Sequence, residues 1–293
     1  MWIDRRRVLW TAASAATFGA MRPVTALAAS DPIETVVKAA ETRLGARIGV
    51  AVLDDAGGRA WNHRAAERFA LASTFKAFAA AALLARVDRG EEKLDRRVVF
   101  AAADLVTYSP VTEKRVGEPG MTLAEIAEAA VTVSDNTAGN LLLKAIGGPE
   151  GLTAFLRSLG DGVTRLDRWE TELNEAKPGD HRDTTTPAAA ARTLHDLVLG
   201  KALTPASRET LTGWLLADRV GDALLRAGLP KTWRIADKTG AGGNGARAIV
   251  AVAWPPEKKP VTIAVYIAET TASMPVRNAA IAEIGAAIAR SLG

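Results

Sequence analysis

The sequence predicts an α/β protein of the α+β type: an antiparallel sheet built from both chain ends, flanked by terminal helices, with an all-helical lobe inserted. Three observations predict it. Strand patterns stand near the start, at 48–53 and 59–62, and near the end, at 234–238, 246–254 and 261–268, while 66–217 reads as helical. Neighbouring strand patterns are joined by hairpin-length connections, which makes the sheet antiparallel. Helical patterns precede the first strand and follow the last, where they can cover the sheet.

The 293 residues are 48% hydrophobic and 24% charged, ordinary for a globular protein with ample core. Residues 1–28 read as a signal peptide: Arg5-Arg6-Arg7, an apolar Ala-rich stretch from Val8, then Ala26-Leu27-Ala28 as a small-x-small cleavage site. Two Arg ahead of Val8-Leu9 fit the twin-arginine type of export, with an ordinary secretory signal as the alternative. Either way the expected destination is the periplasm, leaving a catalytic domain over 29–293 with a sheet lobe (29–65 plus 218–293) and a helical lobe (66–217). Of 37 Lys+Arg and 33 Asp+Glu, four Arg and one Asp lie in the leader, so the remainder is nearly balanced. The basic pI of 9.5 therefore argues nothing for nucleic acid. No Cys occurs, which excludes disulfides, thiol chemistry and Cys-ligated metal. His63, His181 and His195 lie too far apart for a metal-binding spacing, so no metal or cofactor is expected.

In order along the chain, Asp31-Pro32 caps a first helix that Gly45 stops, with Ile33, Val36, Val37, Ala40 and Leu44 as its apolar stripe. The strand at 48–53 turns at Asp54-Asp55-Ala56-Gly57-Gly58 into the return strand. Behind Ser73-Thr74-Phe75-Lys76 no polar residue appears until Arg86, so that helix belongs in the middle of a domain. Thr122 and Glu125 form a capping box, and helices fit 137–146, 149–159, 187–199, 205–217 and 276–291. From Gly160 to Thr186 no period is sustained, and compact domains rarely keep such a loop unless it is functional. Arg168 and Asp183 are placed to pair across its base, or to stand as two solvated charges.

Ser73 and Lys76 sit three residues apart, so they share a helical face at a helix N-terminus. A buried Lys beside a Ser activates a weak nucleophile, although composition alone gives roughly one chance S-x-x-K in such a chain. Ser134-Asp135-Asn136 can turn Ser134 and Asn136 into one cleft, or simply cap the next helix. Lys238-Thr239-Gly240-Ala241-Gly242-Gly243 ends a strand, its glycines leaving room for a ligand to pair with the backbone. Arg247 is a second candidate anion anchor, and Glu170, in Glu170-Thr171-Glu172-Leu173-Asn174, is a candidate general base.

Taken in order, S-x-x-K, S-D-N and K-T-G resemble the motif set of class A β-lactamases and penicillin-binding proteins, and E-x-x-L-N narrows the resemblance to the class A serine β-lactamases. Tyr108-Ser109-Pro110 and the run from Ser134 to Leu143 extend it. The resemblance implies a β-lactamase-like fold and hydrolysis of a small β-lactam through an acyl-serine. It implies Ser73 as nucleophile, Lys76 or Glu170 as acylation base, and Glu170 as deacylation base through a water steadied by Asn174. It further implies Ser134 as proton relay, Asn136 on the substrate amide, Tyr108 as a cleft wall, and Lys238, Thr239 and Arg247 on the carboxylate. The backbone N–H groups of Ser73 and Ala241, next to Gly240, would form the oxyanion hole. No nucleic acid, no membrane after leader removal and a monomeric state complete the expectation.

Ala72 and Gly242 stand where carbapenem-hydrolysing relatives often join two Cys, and Ala241 where many broad-spectrum relatives carry Ser or Thr. Carbapenems are therefore expected to be poor substrates. Two rivals remain: a D-alanyl-D-alanine peptidase, which lacks fast deacylation, and a penicillin-sensing domain that stays acylated.

Overall fold

The structure is a computed structural model and describes residues 31–55 and 59–292. The expected leader and the tip of the first hairpin lie outside the described residues. Helix α1 (Pro32–Leu44) begins where the Asp31 carboxylate accepts the Ile33 N–H at 2.8 Å, and ends at Gly45 in the left-handed region. Its stripe buries Ile33, Val37, Ala40 and Leu44; Val36 is half-buried. Strands β1 (Arg47–Asp54) and β2 (Arg59–His63) follow as the predicted hairpin.

The middle of the chain begins with the two-residue strand β3 (Phe69–Ala70), then a 3-10 turn over Ala72–Thr74 that leads into α2 (Phe75–Asp88). Every residue of α2 from Phe75 to Ala85 is buried, as an all-apolar helix requires. Strands β4 (Arg97–Val98) and β5 (Met121–Thr122) form a short ribbon ahead of α3 (Leu123–Thr132), which starts at the Thr122–Glu125 capping box. Helices α4 (Asn136–Ile146) and α5 (Gly148–Ser158) follow, and α3, α4 and α5 all pack on α2. After the long loop come β6 (Thr184–Thr185), α6 (Pro187–Val198), α7 (Pro205–Leu216) and α8 (Leu225–Gly228). The two ribbons and α8 are absent from the sequence reading, because elements this short hold too few residues to display a period.

The chain closes with β7 (Arg234–Ala241), β8 (Arg247–Trp254), β9 (Val261–Ala268) and α9 (Met274–Leu292). The five long strands form one antiparallel sheet in the order β2-β1-β9-β8-β7, with Val50 opposite Val265. Alternation sorts its side chains. Ile48, Val50 and Val52 join Val265 and Ile267 in a core with α1 and α9, while Ala51 and Tyr266 face the core containing α2. On that second face Gly49 is obligatory: a Cβ there would lie 2.5 Å from the Phe69 ring and 2.7 Å from Pro187.

Strand β7 corrects one expectation. It does not end at Lys238 but runs on through Thr239 and Gly240 to Ala241, paired with Ile249, Ala248 and Arg247 of β8. Gly240 is thus a ladder residue. Its Cβ position lies 3.1 Å from the Leu71 carbonyl and 3.3 Å from the Ser73 backbone nitrogen, so the missing side chain lets β7 press against the turn carrying Ser73.

Candidate active site

Ser73, Tyr108, Ser134, Asn136, Asn174, Thr239, Gly240, Ala241 and Arg247 line one cleft of about 430 Å³. The remaining expected residues, Lys76, Glu170 and Lys238, lie just beneath and connect to it by hydrogen bonds. Sequence reasoning missed two cleft walls, Val220 and Met274, which carry apolar side chains with no chemical signature.

Lys76 is fully buried on the first turn of α2. Its ammonium faces four oxygens: Ser73 Oγ at 3.0 Å, the Ser134 carbonyl at 2.9 Å, Asn136 Oδ1 at 2.6 Å and Glu170 Oε1 at 2.9 Å. An ammonium has three N–H bonds, so four acceptors over-fill it. Burial pushes the Lys76 ammonium below its ordinary value, while the Glu170 carboxylate and, farther away, Asp135 pull it back up. Loss of one proton to Glu170 leaves a neutral amine whose lone pair can take the Ser73 proton. The room for this packing comes from Gly139, where a Cβ would meet Lys76 Cε at 2.8 Å.

A second pair repeats the chemistry. Lys238 Nζ, fully buried, donates to Ser134 Oγ at 3.0 Å and to the Thr239 carbonyl at 3.0 Å. Burial lowers Lys238 to about 8, with Asp218 opposing and Lys76 assisting the shift. Arg247, on the neighbouring strand, donates to Asn278 Oδ1 at 2.7 Å and the Gly240 carbonyl at 3.1 Å. Desolvation and Arg277 bring its guanidinium down to about 10. Unlike Lys76, Lys238 and Arg247 have no carboxylate directly on them among the described residues, so they are poised for an anionic group.

Ser134-Asp135-Asn136 satisfies both sequence readings at once. Asp135 is the N-cap of α4, accepting the Ala138 N–H at 2.8 Å, and its carboxylate also takes the Val111 and Thr112 N–H groups at 3.0 Å each. Ser134 and Asn136, on either side of it, turn to the cleft. Ala72, Tyr108 and Ser134 all have positive φ (42°, 65° and 62°) without being glycine. Such conformations cost on the order of 1 kcal/mol or more each, and they cluster where side chains must be aimed.

The loop between α5 and β6 brings Glu170 in. Asp183 accepts the N–H groups of Asp167 and Arg168 at 2.8 and 2.9 Å and pairs with Arg168 Nε at 2.6 Å. The Arg168–Asp183 pair is thus a clamp, not two solvated charges. Asn140 clasps Glu170 from α4, giving a hydrogen bond to its carbonyl at 3.0 Å and accepting its N–H at 2.9 Å. The signal for Asn140 was its position four residues after Asn136, on the same helical face. Asn174 Nδ2 donates to Glu170 Oε2, and Asn174 Oδ1 is buried without a protein partner. The loop rests on the β7–β8 turn through the Gly243 N–H to the Asn174 carbonyl at 2.8 Å.

A sheet between two helical layers, with a cleft floored by a buried Ser-x-x-Lys turn, defines a serine acyl-transfer enzyme. The model of the β-lactamase enzyme family matches residues 29–292, and the chain belongs to that family, in its class A. It is 52% identical to β-lactamase AER-1 of Aeromonas hydrophila over 263 residues, 90% of this chain and 86% of that one. An ancestral class A β-lactamase of Gram-negative bacteria superposes with a TM-score of 0.87 at 58% identity, covering 88% of this chain and 99% of the other. A putative class A β-lactamase from Rhodopseudomonas palustris gives 0.87 at 54% identity, covering 89% and 99%.

Proposed function

We propose that this chain hydrolyses the β-lactam amide bond through an acyl-serine and so confers β-lactam resistance, with penicillins and early cephalosporins as its better substrates. One observation carries the reading: Lys76 Nζ lies between Ser73 Oγ at 3.0 Å and Glu170 Oε1 at 2.9 Å, all beneath one cleft. Ser73 Oγ attacks the lactam carbonyl while its proton passes to Lys76 or, through a water, to Glu170. The backbone N–H groups of Ser73 and Ala241 hold the resulting oxyanion; one such donor is worth about 10²–10³ in rate. Ring opening breaks the C–N bond, and Ser134 Oγ, supported by Lys238, gives its proton to the departing nitrogen. Ser134 is reprotonated with the proton taken from Ser73, which returns Lys76 and Glu170 to their starting states. Glu170 then takes a proton from a water that Asn174 helps hold. That water cleaves the ester, and the proton on Glu170 passes to the departing Ser73 oxygen, releasing Ser73 and the penicilloate-type acid. Lys238, Thr239 and Arg247 receive the substrate carboxylate, Asn136 its side-chain amide, and Tyr108 walls the cleft.

Glu170→Ala tests this. Removing a general base typically costs ~10²–10⁴-fold, and the loss falls on the second step, since Lys76 remains for the first. The variant mixed with benzylpenicillin should accumulate an adduct on Ser73 by intact mass, and wild type should show none at steady state. Wild type that stays acylated for many minutes would favour a D-alanyl-D-alanine peptidase or a penicillin sensor. Normal turnover by Glu170→Ala would remove Glu170 from its role.

Ala72 and Gly242 leave no cysteine pair, and residue 241 is Ala. Imipenem should therefore be turned over poorly, and efficient imipenem hydrolysis by the purified enzyme would contradict the substrate ranking. The further parts of the reading are a twin-arginine leader over 1–28, release into the periplasm, and action as a monomer. The catalytic domain is read as a sheet lobe (29–65 and 218–293) and a helical lobe (66–217), with the cleft where they meet.

A further inference from the structure

We propose that the cavity beneath the Glu170 loop is a binding site for a small organic anion bearing carboxylate or phosphate groups. This cavity, about 320 Å³, lies between the 168–184 segment and the ends of β1, β3 and β9, apart from the cleft lined by Ser73. Its volume falls at the lower end of the range of small-molecule pockets.

The charges around it do not cancel. Three carboxylates line the cavity, and each is already taken: Glu67 by Arg47 and Arg64, Glu269 by Arg47, and Asp180 by Arg182. Arg68 has no carboxylate partner among the described residues. Its Nη1 donates to the Val163 carbonyl at 3.1 Å and to Thr184 Oγ1 at 2.9 Å, and its Nε and Nη2 have no partner among the described residues. The side chains of Lys177 and His181, exposed on the loop side, have none among the described residues either. Arg68 on the body and Lys177 on the loop thus line one partly enclosed space, Arg68 also bordering the neighbouring cavity at Val163, and neither side chain has a carboxylate partner among the described residues. Guanidinium and ammonium donors are matched by carboxylate and phosphate oxygens. Because the donors come from both walls, a ligand with two anionic groups can bridge body to loop.

Calorimetric titration at constant ionic strength, with citrate in one arm and inorganic phosphate in the other, tests the site on wild type, Lys177→Gln/His181→Gln and Arg247→Ala. Both loop side chains are exposed, so the double variant should fold. Wild type should bind at least one anion saturably, and the tighter arm names the carboxylate or phosphate source. The loop double variant should weaken it at least about tenfold, the scale of one charge-assisted hydrogen bond, and Arg247→Ala should leave it unchanged. Amide exchange over 176–182 should slow on binding in wild type only. Absence of saturable binding overturns the proposal, as does binding that survives the loop substitutions. Loss of binding in Arg247→Ala also overturns it, since the anion would then sit in the cleft.

Discussion

Lys238 has to be buried and charged at the same time. Burial lowers it to about 8, so it is a cation below that pH and neutral above it. The proposed substrate carboxylate loses its partner as pH rises through 8. For a penicillin, kcat/KM should therefore fall along an alkaline limb near 8, while the limb in kcat lies higher because a bound carboxylate favours the charged lysine. Lys238→Arg keeps its charge and should lose that limb; a limb still near 8 in the variant would place the titration elsewhere. At this scale the sequence was legible wherever chemistry is written in residue type: Ser73, Lys76, Ser134, Glu170 and Lys238 were singled out as candidates by their functional groups, and the fold brings them together. Ala72, Tyr108 and Ser134 gave no sign of their left-handed backbone, since a non-glycine residue carries no compositional mark of positive φ.

Among elements, the loop from 160 to 186 depends most on a few contacts. Its clamp, Asp183, is 1% exposed and itself left-handed (φ 55°). Asp183→Asn suits that conformation but removes the buried carboxylate from Arg168, which keeps Glu175 at 2.6 Å, so the loss should be smaller than the roughly 3–5 kcal/mol of a buried pair broken outright. The melting temperature should drop, and benzylpenicillin should leave a measurable acyl-enzyme, because Glu170 is held only as well as its loop. A variant with unchanged melting and no adduct would make the clamp dispensable. The same loop explains two glycines: a Cβ on Gly242 would lie 2.7 Å from the Asn174 carbonyl, and one on Gly243 2.5 Å from the Glu175 carbonyl. From sequence the stretch showed itself only as an absence of period. Its order comes from hydrogen bonds to residues far along the chain, such as the Leu71 N–H to the Asp183 carbonyl at 2.8 Å, which no local pattern encodes.

For the molecule as a whole, the fold class was readable because the long strands and helices carry clear periods; the strand order β2-β1-β9-β8-β7 was not, because it depends on pairings between distant segments. The proposed export route is a property at this scale. If the twin-arginine reading holds, changing Arg5 and Arg6 together to Lys should strand the enzyme in the cytoplasm, as fractionation and a nitrocefin assay would show. Unchanged export would assign the general secretory route. That choice bears on the pairing of β1 with β9. Roughly two hundred residues separate the two strands, about 10–40 s of synthesis at ~5–20 residues per second. Throughout that interval the first hairpin has an open edge, and Ile48, Val50 and Val52 wait for the far end of the chain. The nascent protein cannot finish its sheet until its last strand has left the ribosome, so its period of greatest exposure to aggregation and proteolysis is set by translation speed.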